Sequence, residues 1–288
     1  MQIGVVFPQT EIGPDPGPIR AYADAVAELG YRHVLAYDHV VGADPAVYPG
    51  WSGPYDLHST FHEPFVLFGF LAGLSSLELV TGILIAPQRQ TVLIAKQAAE
   101  VDLLSGGRLR LGVGLGWNHV EYDALGQDFT TRGRRLEEQV GLLRRLWTEE
   151  TVTSAGRFDH VTGVGLAPLP LQRPIPVWFG GTSEPALRRA GRLGDGWFPQ
   201  VAPGTGLEEA IEVVGSAAAE AGRDPATIGM EGRIQAGDGD LERIARQAEA
   251  WRAAGASHLS LNTMGAGLAG VDNHIASVAA AAEAVLGS

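Results

Sequence analysis

Two rhythms of apolar and polar positions alternate along the chain. Eight short runs are almost continuously apolar, as strands covered on both faces must be: Ile3 to Phe7, His33 to Tyr37, Leu79 to Ala86, Leu109 to Gly114, Ile175 to Phe179, Gly196 to Gln200, Ile228 to Gln235 and His258 to Asn262. Between them the spacing turns helical. Ile19, Tyr22, Ala23, Val26 and Ala27 recur at i, i+3, i+4, i+7 and i+8 and stop at Gly30, a candidate left-handed helix end. A second helix is predicted from about Glu63 to Leu74, and a third from a Thr91 cap to Leu104, before Gly106 and Gly107. Leu136, Val140, Leu143 and Trp147 mark a fourth, and Leu187, Ala190 and Leu193 a fifth that begins at Ser183 with Pro185 in its first turn. Further stripes run through Leu241, Ile244, Ala245, Ala248 and Trp251, and through Val271, Ile275, Val278, Ala282 and Val285.

Eight strand and helix alternations in 288 residues, against the ~250 typical of the fold, predict a single (β/α)8 TIM barrel over residues 1–288. A doubly wound open sheet is the alternative. The first strand, however, leads into Pro8, Gln9 and Thr10 and a Pro-rich stretch, with no G-x-G-x-x-G turn entering a helix. Two connections exceed plain loops: Asp38 to His62 after strand two, and Glu149 to Pro174 before strand five. The first emerges on a barrel's active-site face and is a lid candidate; the second begins on the opposite face.

Composition narrows the partners. With 21 Lys and Arg against 33 Asp and Glu, the net charge is −12, which works against a broad nucleic-acid or anionic-membrane surface and favours small-molecule ligands. Cysteine is absent, so disulfides, thiolate metal sites and a Cys nucleophile are excluded, compatible with a reducing, cytoplasmic setting. The run Ile3 to Phe7 lacks the basic flank of a secretory signal, so the mature chain is expected to start near Met1. The long apolar stretch from Pro64 to Pro87 holds Glu78 and several Gly and Ser residues, and reads as a buried helix and strand rather than a membrane span.

In a barrel, functional residues cluster just past the C-terminal ends of the strands. Here those tips are polar and Gly-rich. Gly180, Gly181, Thr182 and Ser183 leave a strand and enter a helix, so that free N–H groups converge beside two residues without Cβ: a phosphate cradle, or simply a tight turn capped by Ser183. Asp38 and His39 place an ionisable pair at the second tip, as acid, base or ring-carbonyl ligand, or as a structural hydrogen-bonded pair. Gly112 to Gly116, followed by Trp117 and Asn118, would let a flat ligand approach the backbone with Trp117 stacking on it, unless the glycines only relieve barrel crowding. Thr81, Gly82 and Ile83 suggest a bulge or unusual peptide near a ligand. His58, His62 and Glu63 have half a metal site's spacing, but with no third ligand set in view capping and lid contacts explain them better, and no metal is assigned.

Taken in order, these segments resemble the luciferase-like monooxygenase superfamily, in its branch of coenzyme F420-dependent oxidoreductases. The likeness is carried by Asp38-His39, Glu63-Pro64, Thr81 to Ile83, Ala95 to Ala99, Leu104 to Arg108, Gly112 to Trp117, Arg132 to Arg135, Leu146-Trp147, Val177 to Gly181 and Gly194 to Trp197. The resemblance implies a flavin or deazaflavin ring at the barrel mouth, its phosphate on Gly180 to Ser183, a non-prolyl cis peptide near Gly82-Ile83, and His39 near the reactive face. Gly82, Ile83, Gly116, Trp117 and Asn118 would then flank the ring. In the sugar-phosphate dehydrogenase branch a Glu stands where this chain has Trp117; Glu121, one helical turn on, is the nearest substitute.

Three functions follow. One is F420-dependent hydride transfer between the deazaflavin C5 and a small organic substrate, with Asp38 and His39 as the catalytic pair and His39 the proton donor or acceptor. The second is an FMNH2-dependent monooxygenase on the same phosphate turn, and the third a cofactor-binding barrel without turnover. An aldolase or isomerase barrel is a further possibility. The anionic oligoglutamate tail of F420 would be favoured by Arg89 and Arg233 at the mouth, unless these form surface ion pairs. Tyr48, Trp51, Tyr55, His58, Phe61 and His62 of the lid candidate suggest an aromatic, mostly apolar pocket. By the resemblance, a homodimer is expected.

Overall fold

Parallel strands buried on both faces need helices outside and filled space inside, and the computed structural model, which describes residues 1–287, meets both needs. Its strands are β1 (Gln2–Val6), β2 (His33–Ala36), β3 (Glu78–Thr81), β4 (Leu109–Val113), the pair β5 (Val152–Ala155) and β6 (His160–Val164), then β7 (Val177–Gly180), β8 (Gly196–Phe198), β9 (Gly229–Gln235) and β10 (His258–Asn262). All but β5 and β6 form one closed barrel in the order β1-β10-β9-β8-β7-β4-β3-β2, every pairing parallel. The helices are α1 (Pro16–Glu28), α2 (Pro64–Ala72), α3 (Thr91–Ser105), α4 (His119–Ala124), α5 (Arg132–Thr148), α6 (Glu184–Leu193), α7 (Thr205–Glu220), α8 (Leu241–Ala253) and α9 (Val271–Leu286). Helix α9 packs on α1, closing the outer ring. Ser288 of the expected 1–288 domain lies outside the described residues.

The eight barrel strands are those the sequence predicts, with one shortened. The third was expected to reach Ala86, yet β3 ends at Thr81: the Gly82-Ile83 peptide is cis, Leu84 makes a single bridge to Val113, and Ala86 to Gln88 form a 3-10 turn. The cause is a competing acceptor, since the Ile85 N–H donates to the Asp38 carboxylate at 2.9 Å. Thr91 does not cap α3. Gln90 is the N-cap, and the Thr91 hydroxyl donates to Asp159 at 2.7 Å. The long connection before strand five holds the β5-β6 hairpin, which leans on α5 through Glu138, whose carboxylate accepts the N–H groups of Arg157, Phe158 and Asp159. The lid candidate between β2 and α2 has neither helix nor strand.

Apolar side chains facing outward from the strands meet the helices in the main core. Inside the barrel a smaller apolar layer of Val6, Leu35, Val80, Trp178, Phe198 and Met264 lies under the mouth. Below it the interior is charged. Glu231, 2% exposed, accepts from His33 Nε2 at 3.0 Å, from the Ser260 hydroxyl at 2.6 Å and from Arg110, whose other nitrogens pair with Glu78 at 3.0 Å. Buried charges of this kind hold only when each is paired. Burial opposes the charge on Glu231, but Arg110 and His33 outweigh it and hold its carboxyl far below the usual range.

Replacing Glu231 by Leu leaves Arg110 and His33 without their shared anion, and unfolding in urea should show a loss of about 3–5 kcal/mol. Burial, assisted by the Arg110 charge, lowers His258 to about 4. Between an unfolded value of about 6.5 and that folded value the unfolded chain binds a proton the native state refuses, so stability falls as pH falls through this window. Thermal melts from pH 7 to 4 should show the decline, and His258→Gln should flatten part of it; an unchanged slope would assign the acid sensitivity elsewhere.

Candidate functional site

At the C-terminal ends of the strands a cavity of about 820 Å3 opens, within the range of cofactor sites. Its wall has three parts. Ile83, Ile85, Leu115, Trp117, Tyr55 and Phe198 make an apolar side; Gln200, Arg233, Gln235, Ser260 and Asn262 make a polar one; Gly180 to Ser183 close the third.

His39 stands between the cavity and the lid, with Phe61, Tyr55 and Trp117 at ring distances of 4.7, 5.3 and 5.6 Å. Its Nδ1 meets the Glu121 carboxylate at 3.3 Å. Glu121 sits in the first turn of α4 because Asn118, the N-cap, accepts from the Val120 and Glu121 N–H groups. Its oxygens also accept from Gln88 Nε2 at 3.0 Å, from Val41 N–H at 3.3 Å and from Val40 N–H. Burial opposes the charge of this carboxylate, and the hydrogen bonds from His39, Gln88 and Val40 overcome that and hold it below its ordinary value. Asp38 has both oxygens engaged, one with Ile85 N–H and one with Arg89 at 2.7 Å.

The segment after β3 is shaped by what surrounds it. A Cβ at Gly114 or Gly180 would come within 2.7 or 2.8 Å of the Ile83 side chain, so only glycine lets Ile83 lie flat in the mouth. On the opposite side Gly181, at φ +142°, would drive a Cβ into Ala186 of α6. Ser183 is the α6 N-cap, yet its hydroxyl makes no capping bond, leaving that group and the helix start to a ligand anion. Arg132, on the same cavity, stacks over Phe129 at 3.6 Å and keeps a buried Nε without a partner. These features fit a phosphate-bearing group on the turn.

The structure thus brings Asp38, His39, Gly82, Ile83, Gly116, Trp117 and Gly180 to Ser183 to one cavity. Asn118 lines an adjoining cavity of about 330 Å3 under the lid instead. Arg233 is at the mouth, bonded among the described residues to the Tyr37 hydroxyl and Gln200. Arg89 is not a free mouth cation: it is locked between Asp38 and Glu63, each at 2.7 Å. Of the lid aromatics, Tyr55 faces the cavity and Trp51 backs Trp117 at 5.5 Å, whereas Tyr48 is exposed. His62 packs against Phe7, and among the described residues no group of three or more His, Asp or Glu could hold a metal. Sequence reasoning missed Arg132 as a mouth residue and the interior charges His33, Arg110 and Glu231, although charged residues within apolar strands were a visible signal.

A closed parallel barrel with a Gly-rich turn and an aromatic-walled histidine at its mouth places the chain in the TIM-barrel class. The family model described as luciferase-like monooxygenase matches residues 1–285, and the chain belongs to that family of oxidoreductases and monooxygenases. It is 29% identical over 255 residues to an F420-dependent hydroxymycolic acid dehydrogenase of Mycobacterium tuberculosis, covering 87% of this chain and 66% of that protein. It is 33% identical over 193 residues to an FMNH2-dependent dimethylsulfone monooxygenase of Pseudomonas putida, covering 65% and 53%. The chain therefore spans about half to two thirds of the length of these two relatives. An F420-dependent secondary alcohol dehydrogenase shares the fold at a TM-score of 0.79 and 20% identity, over 99% of this chain and 98% of that one.

A charge on the turn tests its role. Thr182 is exposed, so Thr182→Asp should leave the melting temperature unchanged while weakening a phosphate-bearing cofactor by roughly tenfold or more, read by fluorescence titration. Unaltered affinity would remove the turn from phosphate binding.

Proposed function

We propose that the protein is an F420-dependent oxidoreductase that passes a hydride between the deazaflavin C5 and a small, largely apolar alcohol, carbonyl or unsaturated substrate. The observation that carries this reading is the pair Arg132 and Arg233. Both line the mouth and neither is paired with a carboxylate among the described residues, in a chain whose net charge is −12. A net negative chain disfavours a polyanion overall, and these two cations would receive the anionic tail that F420 has and FMN lacks. The dehydrogenase relative supports the same cofactor.

When bound, the deazaflavin supplies or accepts the hydride. Gly181 to Ser183 would hold its phosphate, and Ile83, set between Gly114 and Gly180, would support the ring. Trp117, Tyr55 and Phe61 exclude water from the reacting atoms. His39 exchanges a proton with the substrate oxygen through Nε2, the ring nitrogen without a protein partner. Asp38 acts as a positioning residue, fixing the segment around Ile83 and Ile85. The monooxygenase relative favours a second reading, reduced FMN with oxygen on the same turn.

The remaining expectations join this proposal. Among the described residues no helix is long and apolar enough to cross a membrane, and a cytoplasmic enzyme accords with the absence of cysteine. A homodimer would cover the apolar surface of α2 and α3, where Val66 is 73% and Leu93 49% exposed. Light scattering should give a dimer that Val66→Glu dissociates.

Titration of the apo-protein with F420 and with FMN at one salt concentration tests the cofactor. F420 should bind more tightly, and Arg233→Ala should weaken F420 by about tenfold with little effect on FMN; the reverse preference would favour the monooxygenase. His39→Ala should lower turnover by about 10²-fold or more with cofactor affinity retained.

A further inference from the structure

We infer that Glu121 is the positioning carboxylate of the proton step, holding His39 as the Nδ1–H tautomer so that an unprotonated Nε2 faces the substrate oxygen. The inference rests on the proposed hydride transfer for its consequence, but its geometry stands independently. Glu121 has no exposed side-chain surface and does not line the cavity, so it can act on a ligand only through His39.

Everything else that touches this carboxylate is a donor that cannot accept. The Val40 and Val41 N–H groups share one oxygen, and the Gln88 amide nitrogen takes the other. A carboxyl ringed by donors is an acceptor only, so the His39 Nδ1 beside it must carry a proton. The same carboxylate grips the backbone of the two residues that follow His39, so ring and main chain are oriented by one group. The aromatic rings of Phe61, Tyr55 and Trp117 box in the imidazole. Among the described residues Nε2 has no hydrogen-bond partner and is not a sealed, unsatisfied atom, which leaves it open to the cavities His39 lines, the one at the mouth among them.

In the oxidising direction an alcohol C–H bond breaks with its electron pair going to C5 of the oxidised deazaflavin. The O–H bond breaks with its proton going to His39 Nε2, and a C=O bond forms. The imidazolium so created lies against the Glu121 carboxylate, which offsets its charge; in the reducing direction the same proton returns to oxygen. The opposite tautomer would present an N–H to the alcohol and could not accept that proton.

The test is a histidine-15N-labelled wild-type protein, with His39→Asn used to assign the His39 resonances, recorded at a pH where the two ring nitrogens give the distinct shifts of a neutral imidazole. The expected spectrum shows Nδ1 protonated and Nε2 unprotonated; an Nε2–H signal in the wild type overturns the inference without any variant. Glu121→Gln should populate the Nε2–H form and lower kcat by about 10²-fold or more, with KM and cofactor affinity within about threefold. Loss of kcat with the tautomer unchanged, or a changed tautomer with kcat intact, overturns it equally. Because the tautomer is read in the apo-protein, failure of F420 binding would sink the proposed reaction while leaving the Glu121 assignment to be decided on its own.

Discussion

The carboxylate of Asp38, 3% exposed, reaches from the end of β2 to the segment leaving β3, and the shape of the mouth depends on that reach. One oxygen takes the Ile85 N–H and ends β3 early; the other takes Arg89, which extends to Glu63 at the N-cap of α2. The Arg89 carbonyl in turn receives Gln139 and Arg135 from α5. A single buried ionic group thus ties two strands to two helices. Ion pairs of this kind are intolerant of losing one partner because the survivor stays buried. Ile83 can lie against Gly114 and Gly180 only while that tie holds.

The barrel was legible in the sequence because continuous apolar runs are the direct consequence of burial on both faces, and eight of them alternate with helical stripes. The tips were legible because a strand end followed by Gly or Asp-His leaves few structural alternatives. Hydrophobic periodicity could not end the third strand correctly: residues 79–86 are uniformly apolar except at Thr81 and Gly82, and the partner that diverts Ile85 lies 47 residues earlier. Helix α4 escaped notice since six residues give barely two turns of pattern, although Asn118, assigned to the cofactor, is also a strong N-cap residue. Arg89 and Arg132 show the same limit in opposite directions. Charge alone does not tell which arginine finds a carboxylate; the fold supplies Asp38 and Glu63 to one and only an aromatic ring and a carbonyl to the other.

The interior divides its polar groups by depth. Beneath the apolar layer of Leu35, Val80 and Phe198, Arg110 is shared by Glu231 and Glu78, and Glu231, which reaches the cavity wall, is bonded further by His33 and Ser260. At the mouth, the bonds of Arg132 and Arg233 among the described residues go to neutral groups. A paired charge contributes to fold specificity, whereas one left without a counter-charge at the rim of a concave site remains available to an anion. The difference in partners, more than the number of charges, separates the part of the barrel that holds the fold from the part that receives a ligand.

Trp117 and Glu121 both lie just past the fourth strand's exit. A carboxylate at the tip itself would face the cavity and meet a ligand directly, as the resemblance to the sugar-phosphate branch implies for its glutamate. With Trp117 there the wall is apolar, and a carboxylate stands instead in the first turn of α4, where Asn118 fixes the helix start and Val40, Val41 and Gln88 fix the charge. From that position it faces His39 and no ligand. The result is a histidine held beside an apolar wall, which under the proposed function suits a neutral substrate whose polar demand is one proton at one oxygen.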